Sequence, residues 1–275
     1  MSLTDLPPLG EALKAAGLQA DKSFGQHFLL DLNLCRKIVR IAEVANGETV
    51  LEIGPGPGGL TRTLLAAGAR VVAIEQDRRF AALLEPLAEA AEGRLKIVYA
   101  DALTADEAAL AGAYASIVAN LPYNVGTPLL IKWLTGVWRP ARLTLMYQLE
   151  VASRIVAAPG SADYGRLAVI VQALAEARIA LKLPARAFTP PPKVDSAVVR
   201  IDPRADPPAD ALIEVLQRVT AAAFGQRRKM LRSSLKPLGG AALCEAVGIA
   251  PDRRAETLSV DAFLALAAHV ASDRR

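Results

Sequence analysis

Between residues 34 and 200, apolar runs with β character alternate with segments of helical periodicity, and this alternation restricts the fold more than any other feature. We predict strands at 49–54, 70–75, 95–101, 115–119, 143–148, 177–183 and 196–201. Helices predicted at 34–45, 60–67 and 79–91 separate the early strands. Because strands joined through helices need crossover connections, the sheet should be mainly parallel. Only a Pro-rich loop separates the last two strands, which allows an antiparallel hairpin at one sheet edge.

The composition changes near residue 202. Segment 202–208 contains three prolines, which interrupt both helices and sheet ladders. After it we predict only helices, at 209–224, 229–235, 241–247 and 260–271, with Ser259 capping the last. The sequence therefore predicts an α/β domain over residues 1–203, followed by a small all-helical domain over residues 204–275.

The composition fits a globular protein with an anionic partner but does not identify that partner. Of the 275 residues, 52% are hydrophobic and 22% charged, which allows a substantial core. The formal net charge is +4. Residues 204–275 hold 11 of the 32 Lys and Arg residues but only 8 of the 28 Asp and Glu residues, so most of the positive excess lies there.

Several function classes are disfavoured by the sequence. Cys35 and Cys244 are far apart in apolar helical patterns, which predicts reduced core thiols rather than a disulfide. With two histidines in the chain, we find no cluster of metal ligands and expect no metal. No signal peptide and no apolar run of about 20 residues is evident, so we expect a cytoplasmic protein without a membrane segment.

A glycine-rich turn follows the first predicted strand. Gly54, Gly56 and Gly59 match G-x-G-x-x-G, and Glu75 ends the next strand, 21 residues after Gly54. Glycines let the backbone turn sharply and let a ligand approach closely, while a carboxylate at Glu75 can accept hydrogen bonds from ribose hydroxyls. The pattern predicts an adenosine-containing ligand. It leaves open a dinucleotide, S-adenosylmethionine, or a purely structural turn.

Three details favour S-adenosylmethionine. Pro55 and Pro57 remove amides that a pyrophosphate would need as donors. Glu52 would repel a pyrophosphate but tolerate a sulfonium or ammonium group. Asp101 ends the third strand, where it can accept from the adenine amine of the cofactor, although a helix N-cap is the alternative interpretation. These acids follow successive strands, as ligand-binding residues do in open α/β sheets. We therefore predict a Rossmann-like class I methyltransferase fold with a mixed, mainly parallel sheet.

The fourth strand is followed by Asn120, Leu121, Pro122 and Tyr123. The exocyclic amine of adenine is a poor nucleophile because its lone pair is delocalised into the ring. Two acceptors on its hydrogens, the Asn120 side-chain oxygen and the Leu121 carbonyl, can draw the nitrogen toward tetrahedral geometry. Pro122 would fix the loop, and Tyr123 would offer a stacking face. The alternative is a turn with an incidental aromatic residue.

A second aromatic residue begins segment 188–196, a proline-rich stretch. We predict that this stiff loop presents Phe188, which would sandwich a base against Tyr123. The competing interpretation is a strand connector anchored by a buried Phe.

Together these segments resemble the ribosomal RNA adenine dimethyltransferase family, in particular its bacterial small-subunit branch. The resemblance begins at residues 22–29 (KSFGQHFL), passes through the motifs above and residues 164–167 (YGRL), and reaches the basic tail. It implies that S-adenosylmethionine is used to dimethylate N6 of two adjacent adenosines in a hairpin near the 3′ end of small-subunit (16S) rRNA, during late subunit assembly. The cofactor contacts that it implies are His27, Leu29, Gly54, Glu75, Asp101 and Asn120; Glu52 and Gly56 join them as neighbours in the turn.

Two positions depart from the family pattern. His27 stands where Asn is usual, and imidazole can still form a hydrogen bond. Leu149 stands where relatives often carry Lys, which removes one expected phosphate contact. Three alternatives remain: a large-subunit rRNA methyltransferase, a non-catalytic ribosome-assembly or nucleic-acid-binding factor, and, most distantly, an NAD-dependent dehydrogenase. The long helical tail and the Phe-x-Pro-x-Pro loop favour the small-subunit enzyme.

The basic tail is the predicted RNA-binding surface. Five cations fall within ten positions, namely Arg227, Arg228, Lys229, Arg232 and Lys236. On one continuous helix, Arg228, Arg232 and Lys236 would form a stripe that can follow an RNA backbone. A solvated helix face is the alternative. We expect the partner to be small-subunit rRNA within the assembling subunit and the protein to be a monomer.

Overall fold

The computed structural model describes residues 2–21, 25–226 and 228–273. The chain forms two compact units, which we call the sheet unit (Met1–Ala152 and Arg178–Asp202) and the helical unit (Ser153–Ala177 and Pro203–Arg275). The predicted division after residue 203 differs from this, because residues 153–177 lie in the helical unit. The Arg204 amide, for example, donates to the Leu174 carbonyl at 2.9 Å. As a functional division, 1–203 and 204–275 stays a prediction.

The sheet unit is built on a seven-stranded sheet. Its strands are β2 (Thr49–Ile53), β3 (Arg70–Glu75), β4 (Leu95–Tyr99), β5 (Ser116–Asn120), β6 (Leu143–Gln148), β7 (Ala175–Leu183) and β9 (Ser196–Pro203). They lie in the order β4-β3-β2-β5-β6-β9-β7. The five strands β2 to β6 pair in parallel, whereas β9 pairs with β6 in the antiparallel direction. The predicted mixed, mainly parallel sheet is confirmed.

A second, two-stranded sheet was not predicted. Strand β1 (Phe28–Leu29) pairs antiparallel with β8 (Phe188–Thr189), with Leu29 opposite Phe188. The side chains of Phe28, Leu29 and Phe188 are buried in the main apolar core. Two residues are too few to show the alternation by which a strand is recognised in a sequence.

Helices cover the main sheet. They are α1 (Leu9–Ala15), α2 (Leu32–Ala42), α3 (Gly59–Ala66), α4 (Ala81–Ala90), α5 (Glu107–Ala111), α6 (Gly126–Thr135) and α7 (Leu149–Ile155). Helix α2 begins where the Asp31 carboxylate accepts from the Asn33 amide at 2.7 Å, and it buries Cys35, Ile38 and Val39 against the core. Burial of such apolar faces stabilises the layers by roughly 25 cal/mol per Å² of apolar surface.

The helical unit contains α8 (Arg166–Leu174), α9 (Asp210–Phe224), α10 (Leu231–Ser234), α11 (Gly240–Ala246) and α12 (Val260–Ser272). The rings of Tyr164, Phe224 and Phe263 pack in series, with centroid separations of 6.1 and 5.4 Å. Ser259 caps α12 by accepting from the Ala262 amide at 3.2 Å, as predicted. Cys35 and Cys244 are buried free thiols, also as predicted.

The predicted basic stripe is not formed on one helix. Helix α10 is only four residues long, and Lys236–Leu238 forms a separate 3-10 turn. Pro237 in that turn has no N–H to continue an α-helical ladder. Arg228, Arg232 and Lys236 therefore lie on three successive pieces of backbone, all with exposed side chains. None of the helices in the described part of the chain has the length and hydropathy needed to cross a membrane.

Candidate active site

A cleft opens in the sheet unit where β2, β3, β4 and β5 end. Its walls come from residues 25–29, 52–57, 59–60, 74–76, 100–103 and 120–125, and Ile38 of α2 also reaches it. Its volume, including the open mouth, is about 1120 Å³. The carboxyl ends of parallel strands are where open α/β sheets bind ligands, so this cleft is the candidate site.

The glycine turn forms one wall of the cleft and adopts left-handed backbone conformations. The φ angle is +66° at Gly54 and +52° at Gly56. Residues other than glycine adopt such left-handed backbone angles only at an energetic cost. A Cβ at Gly54 would meet the Pro122 ring at 3.6 Å, and one at Gly56 would meet the Phe28 ring at 3.5 Å. The turn therefore packs closely against both the 120–125 loop and β1.

Glu75 is held from two sides. Its Oε2 accepts from the Gly56 amide at 3.0 Å, and its Oε1 accepts from the Asp77 amide at 2.8 Å. Burial raises the pKa of Glu75 above its ordinary value, although these two amides oppose the shift. Because the Gly56 amide is engaged by Glu75, the glycine turn offers one donor fewer to a pyrophosphate. This arrangement disfavours a dinucleotide.

Glu52 lines the cleft with only 1% of its surface exposed. Among the described residues, its Oε2 has no hydrogen-bond partner. Burial, with a further contribution from the Glu75 charge, raises the pKa of Glu52 to about 8, although hydrogen bonding with Thr61 opposes the shift. A buried carboxylate with one unpartnered oxygen is unfavourable, and a positively charged ligand in the cleft would compensate it. These carboxylates thus fit S-adenosylmethionine, which carries a positively charged sulfonium and an ammonium group.

Asp101 lines the cleft in a tight turn, not at the start of a helix. Its Oδ1 accepts from the Leu103 amide at 2.9 Å, and its carbonyl accepts from the Thr104 amide at 3.2 Å. The N-cap of α5 is instead Asp106, which accepts from the Ala109 amide at 3.0 Å. The helix-cap interpretation of Asp101 is therefore wrong.

Asn120 ends β5, and its amide group has a defined orientation. Its Nδ2 donates to the carbonyl oxygen of His27 at 3.0 Å. Since a carbonyl can only accept, the NH2 group of the Asn120 amide must face His27. The Oδ1 atom is then left to accept a hydrogen bond from another group. Next to it, Leu121 is buried, and Pro122 packs against the glycine turn. Asn120 can thus act as an acceptor toward a substrate amine.

Tyr123 is fixed at its edge and on one face. Its hydroxyl is 2.8 Å from Ser196 Oγ, and its ring stacks on His27 with centroids 5.5 Å apart and planes 29° apart. Burial raises the pKa of Tyr123, so the hydroxyl stays protonated at neutral pH. The His27 Nδ1 lies 2.8 Å from the Pro190 carbonyl, to which it must donate. His27 therefore still forms a side-chain hydrogen bond at this departure from the family pattern.

Phe188 does not present a stacking face, contrary to the prediction. The ring is 3% exposed, because pairing of β8 with β1 turns it into the main core. It is absent from the described residues that line the cleft. The ring that the structure places on Tyr123 is His27 instead. The alternative interpretation, an anchoring Phe in a connector, describes the observed position.

The model of the ribosomal RNA adenine dimethylase family matches residues 17–272, nearly the whole chain. The chain belongs to the ribosomal RNA adenine dimethylase family. A curated relative of this family from Phenylobacterium zucineum, "Ribosomal RNA small subunit methyltransferase A", is 66% identical over 268 residues, which cover 97% of this chain and 94% of the relative. The resemblance inferred from the motifs is thereby confirmed, and so is its class as a methyltransferase enzyme.

Two solved structures of transferases share the fold of this dimethylase. A dimethyladenosine transferase from Plasmodium falciparum superposes with a TM-score of 0.73 at 25% identity, over 87% of this chain and 96% of that one. The 23S rRNA methyltransferase ErmE superposes with a TM-score of 0.68 at 28% identity, over 88% and 99%. The predicted class I methyltransferase fold with a helical C-terminal part is confirmed.

Some cleft residues of this dimethylase were not predicted. Ile38, Leu103 and Val125 supply apolar surface from a helix and two loops, where a single apolar residue gives no distinguishing signal. Gln26 lines the cleft and donates to Asp77 Oδ2 at 2.9 Å; its place beside His27 in the Gly-Gln-His-Phe motif was the available clue. Leu29 lies in the cleft wall, and its contact with the cofactor stays a prediction.

The remaining predicted residues lie elsewhere. Arg228, Lys229, Arg232 and Lys236 are exposed on the helical unit. Arg227 falls outside the described residues, as do Lys22, Ser23 and Phe24 of the N-terminal motif. Within residues 2–21, 25–226 and 228–273, no group of three His, Cys, Asp or Glu side chains is placed to hold a metal ion.

Proposed function

We propose that this dimethylase transfers methyl groups from S-adenosylmethionine to N6 of two adjacent adenosines in a hairpin near the 3′ end of small-subunit rRNA. The observation that carries the proposal is the oriented amide of Asn120, whose Nδ2 donates to the His27 carbonyl in the wall of an acid-lined cleft. The name of the Phenylobacterium relative supports the small subunit as the source of the RNA.

Different residues of the cleft would contact different parts of the cofactor. When bound, S-adenosylmethionine supplies a methyl group made electrophilic by its sulfonium. Glu75, fixed by two backbone amides, accepts from the ribose hydroxyls through its remaining lone pairs. Asp101 accepts from the adenine amine of the cofactor, and Glu52 faces the positive charge. Gly54, Gly56, His27 and Leu29 shape the wall.

The 120–123 loop prepares the substrate amine. In the first transfer, Asn120 Oδ1 and the Leu121 carbonyl accept hydrogen bonds from the two N–H groups of the amine, and in the second transfer one of them accepts from the single N–H that remains. This localises the nitrogen lone pair and aims it at the cofactor side of the cleft, and the proton displaced by each methyl group passes to solvent. No side-chain base is required for this step, because positioning and electrostatics supply the stabilisation. Pro122 keeps the loop against the glycine turn. Tyr123 stacks the extruded adenine on the face that His27 does not cover.

The helical unit supplies the RNA contacts in this proposal. Arg228, Lys229, Arg232 and Lys236 have exposed side chains, and Arg227 is placed with them by sequence. Cations of this kind bind phosphates without reading sequence. The substrate is proposed to be rRNA within the assembling small subunit, with the protein acting as a monomer in the cytoplasm.

The decisive assay uses labelled S-adenosylmethionine and small subunits lacking the modification. We expect label on N6 of two adjacent adenosines, located by mass spectrometry of nuclease fragments. Label confined to large-subunit RNA would identify the other branch of the family. Absence of transfer to either RNA would contradict the enzymatic proposal.

The Asn120→Ala variant tests the acceptor role. We expect transfer to fall by at least about 100-fold, since one of two preorganised groups on the amine is lost, while RNA affinity stays unchanged. Asn33→Ala is the matched control, because Asn33 is exposed on α2 and lies outside the cleft. Retained activity of Asn120→Ala would refute the role.

A further inference from the structure

Lys132 is a partly buried lysine that has no part in the proposed mechanism. It lies on α6, and its side chain is 30% exposed. Its Nζ donates to three oxygens: the carbonyls of Ala102 at 3.1 Å and Ala105 at 2.8 Å, and Glu107 Oε1 at 2.8 Å. A lysine ammonium has three N–H donors, so this set saturates it.

The carboxylate partner of Lys132 is itself firmly placed. Glu107 is only 5% exposed, at the start of α5. Its Oε1 also accepts from Trp133 Nε1 at 2.8 Å, and Trp133 is almost fully buried. Two consecutive residues of α6 thus converge on one buried oxygen. This fixes the position of Lys132 Nζ relative to the residues that follow β4.

The carbonyls that Lys132 binds belong to the segment that carries Asp101. Residues 100–103 line the cleft. Asp101 is the first residue of a turn in which the Leu103 amide donates to its carboxylate and the Thr104 amide donates to its carbonyl. Ala102 directly follows Asp101, and Ala105 lies just beyond that turn. Lys132 therefore binds the backbone next to Asp101 and again after the turn, which limits the movement of the carboxylate.

The same helix begins at the other side of the cleft. Asn124 and Val125 line the cleft immediately before α6, and a Cβ at Gly126 would lie 2.9 Å from the Tyr147 ring. Helix α6 is therefore packed tightly at its first residue and hydrogen-bonded to the Asp101 segment from its seventh. The 120–125 loop and the Asp101 turn are connected through one rigid element.

We propose that Lys132 is a positioning residue, which sets the Asp101 carboxylate at the distance from the 120–125 loop that the adenine end of the cofactor requires. This role rests on the proposed function, because it takes Asp101 as the acceptor of the adenine amine. Lys132 touches neither the reacting atoms nor the substrate. It acts through the backbone of residues 102 and 105.

The test measures binding of S-adenosylhomocysteine by calorimetry, without turnover. A second probe is the same molecule with purine in place of adenine, which lacks the exocyclic amine. The wild-type protein should prefer the amine-bearing probe by about ten-fold, as one hydrogen bond to a charged acceptor allows. In Lys132→Met, which keeps the apolar stem, we expect affinity for S-adenosylhomocysteine to fall about ten-fold and the preference to fall toward one.

Controls separate positioning from general loss of structure. Lys132→Arg retains a cation with several donors and should recover most of the preference. Lys37→Met makes the same replacement at an exposed lysine of α2 and should change neither affinity. The melting temperature of each unliganded variant is measured alongside. If Lys132→Met does not fold, Lys132→Gln, which retains two donors, takes its place.

The outcomes are distinct. Equal affinities of Lys132→Met and wild type, or an equal loss for both probes, would overturn the role of Lys132. Failure of the wild-type protein to bind S-adenosylhomocysteine would instead overturn the proposed function, and the positioning role with it.

Discussion

Glu52 and Glu75 are both buried carboxylates of the cleft, but their surroundings differ in a way that predicts different behaviour. Glu75 accepts two backbone N–H groups, which satisfy part of its charge. Glu52 Oε2 has no partner among the described residues. Without a cationic ligand, folding must keep Glu52 protonated or bear the cost of a buried charge with one unpartnered oxygen. Glu52 is therefore a residue whose effect on stability depends on pH.

Glu52→Gln should stabilise the unliganded protein increasingly as pH rises from 5 to 8. An unfolded glutamate has a pKa of about 4.3, whereas burial raises the pKa of Glu52 in the folded protein to about 8. Between these values the unfolded chain binds fewer protons than the folded one, so rising pH lowers wild-type stability. Above the folded pKa this slope ends. Gln has no such slope, and we expect a gain on the order of 1–3 kcal/mol at pH 8.

Urea unfolding at several pH values measures this gain. Glu89→Gln is the control, because Glu89 is exposed on α4 and its replacement should have no comparable effect. A gain that is the same at pH 5 and pH 8 would contradict the assignment. In the presence of S-adenosylmethionine the order should reverse, since the cation compensates the carboxylate but not the amide.

At the scale of elements, strands with strong apolar patterns were predicted closely. The predicted limits of β3 and β6 are those observed, and the acids at strand ends lie together as parallel pairing requires. Helix α6 was not predicted, because Gly126 and Pro128 at its start are typical of loops. The burial of Phe188 depends on pairing with Leu29, a contact between distant residues that leaves no local pattern. The His27 carbonyl that binds Asn120 and the two carbonyls that bind Lys132 are backbone atoms, which carry no side-chain signal.

The junction between β1 and α3 shows how closely these elements pack. Gly59 is the first residue of α3, and a Cβ there would lie 2.8 Å from the Leu29 carbonyl oxygen and 3.0 Å from Leu9 Cδ1. Because the carbonyl is backbone in the cleft wall, it cannot move aside as a flexible side chain would. We expect Gly59→Ala to destabilise the protein by about 1–3 kcal/mol and to weaken binding of S-adenosylhomocysteine.

Gly10→Ala is the matched control for Gly59→Ala. Gly10 lies in α1, and a Cβ there would have no neighbour within 4 Å. Because alanine favours helix, this change should be neutral or stabilising by about 0.5–1 kcal/mol. Thermal unfolding and calorimetric titration give both quantities. Equal effects at the two positions would show that steric contact with Leu29 is not the cause.

At the scale of the whole molecule, most of the excess positive charge lies in residues 204–275. The affinity for RNA should therefore depend on cations of this region. Arg228 and Arg232 are exposed on the helical unit. Replacing both by Glu should weaken binding to a small-subunit rRNA hairpin by at least about ten-fold at 0.1 M salt, and should reduce the slope of log K against log salt by about two. Fluorescence anisotropy over a range of salt concentrations measures both.

Arg36→Glu with Arg40→Glu makes the same change of net charge on α2 of the sheet unit, where both arginines are exposed. If contact rather than net charge is responsible, this control should retain most of the wild-type slope. Identical slopes for the two double variants would show that the helical unit has no special part in binding RNA. Arg228 and Arg232 of the helical unit lie at the surface, where an RNA-binding role needs them. The sequence pattern did not show that α10 ends before Pro237 and that a separate 3-10 turn follows.

The hydrogen bond from Asn120 Nδ2 to the His27 carbonyl joins residues 93 positions apart, and His27 is in turn bound to Pro190. This has a consequence for the protein while it is being synthesised. A nascent chain contains the whole 120–123 loop well before Pro190 has left the ribosome, yet the partner that holds His27 does not then exist. We therefore expect the acceptor oxygen to be fully oriented only after most of the sheet unit has been translated. On the proposed mechanism, catalytic competence is then a property of the folded chain and not of the loop alone.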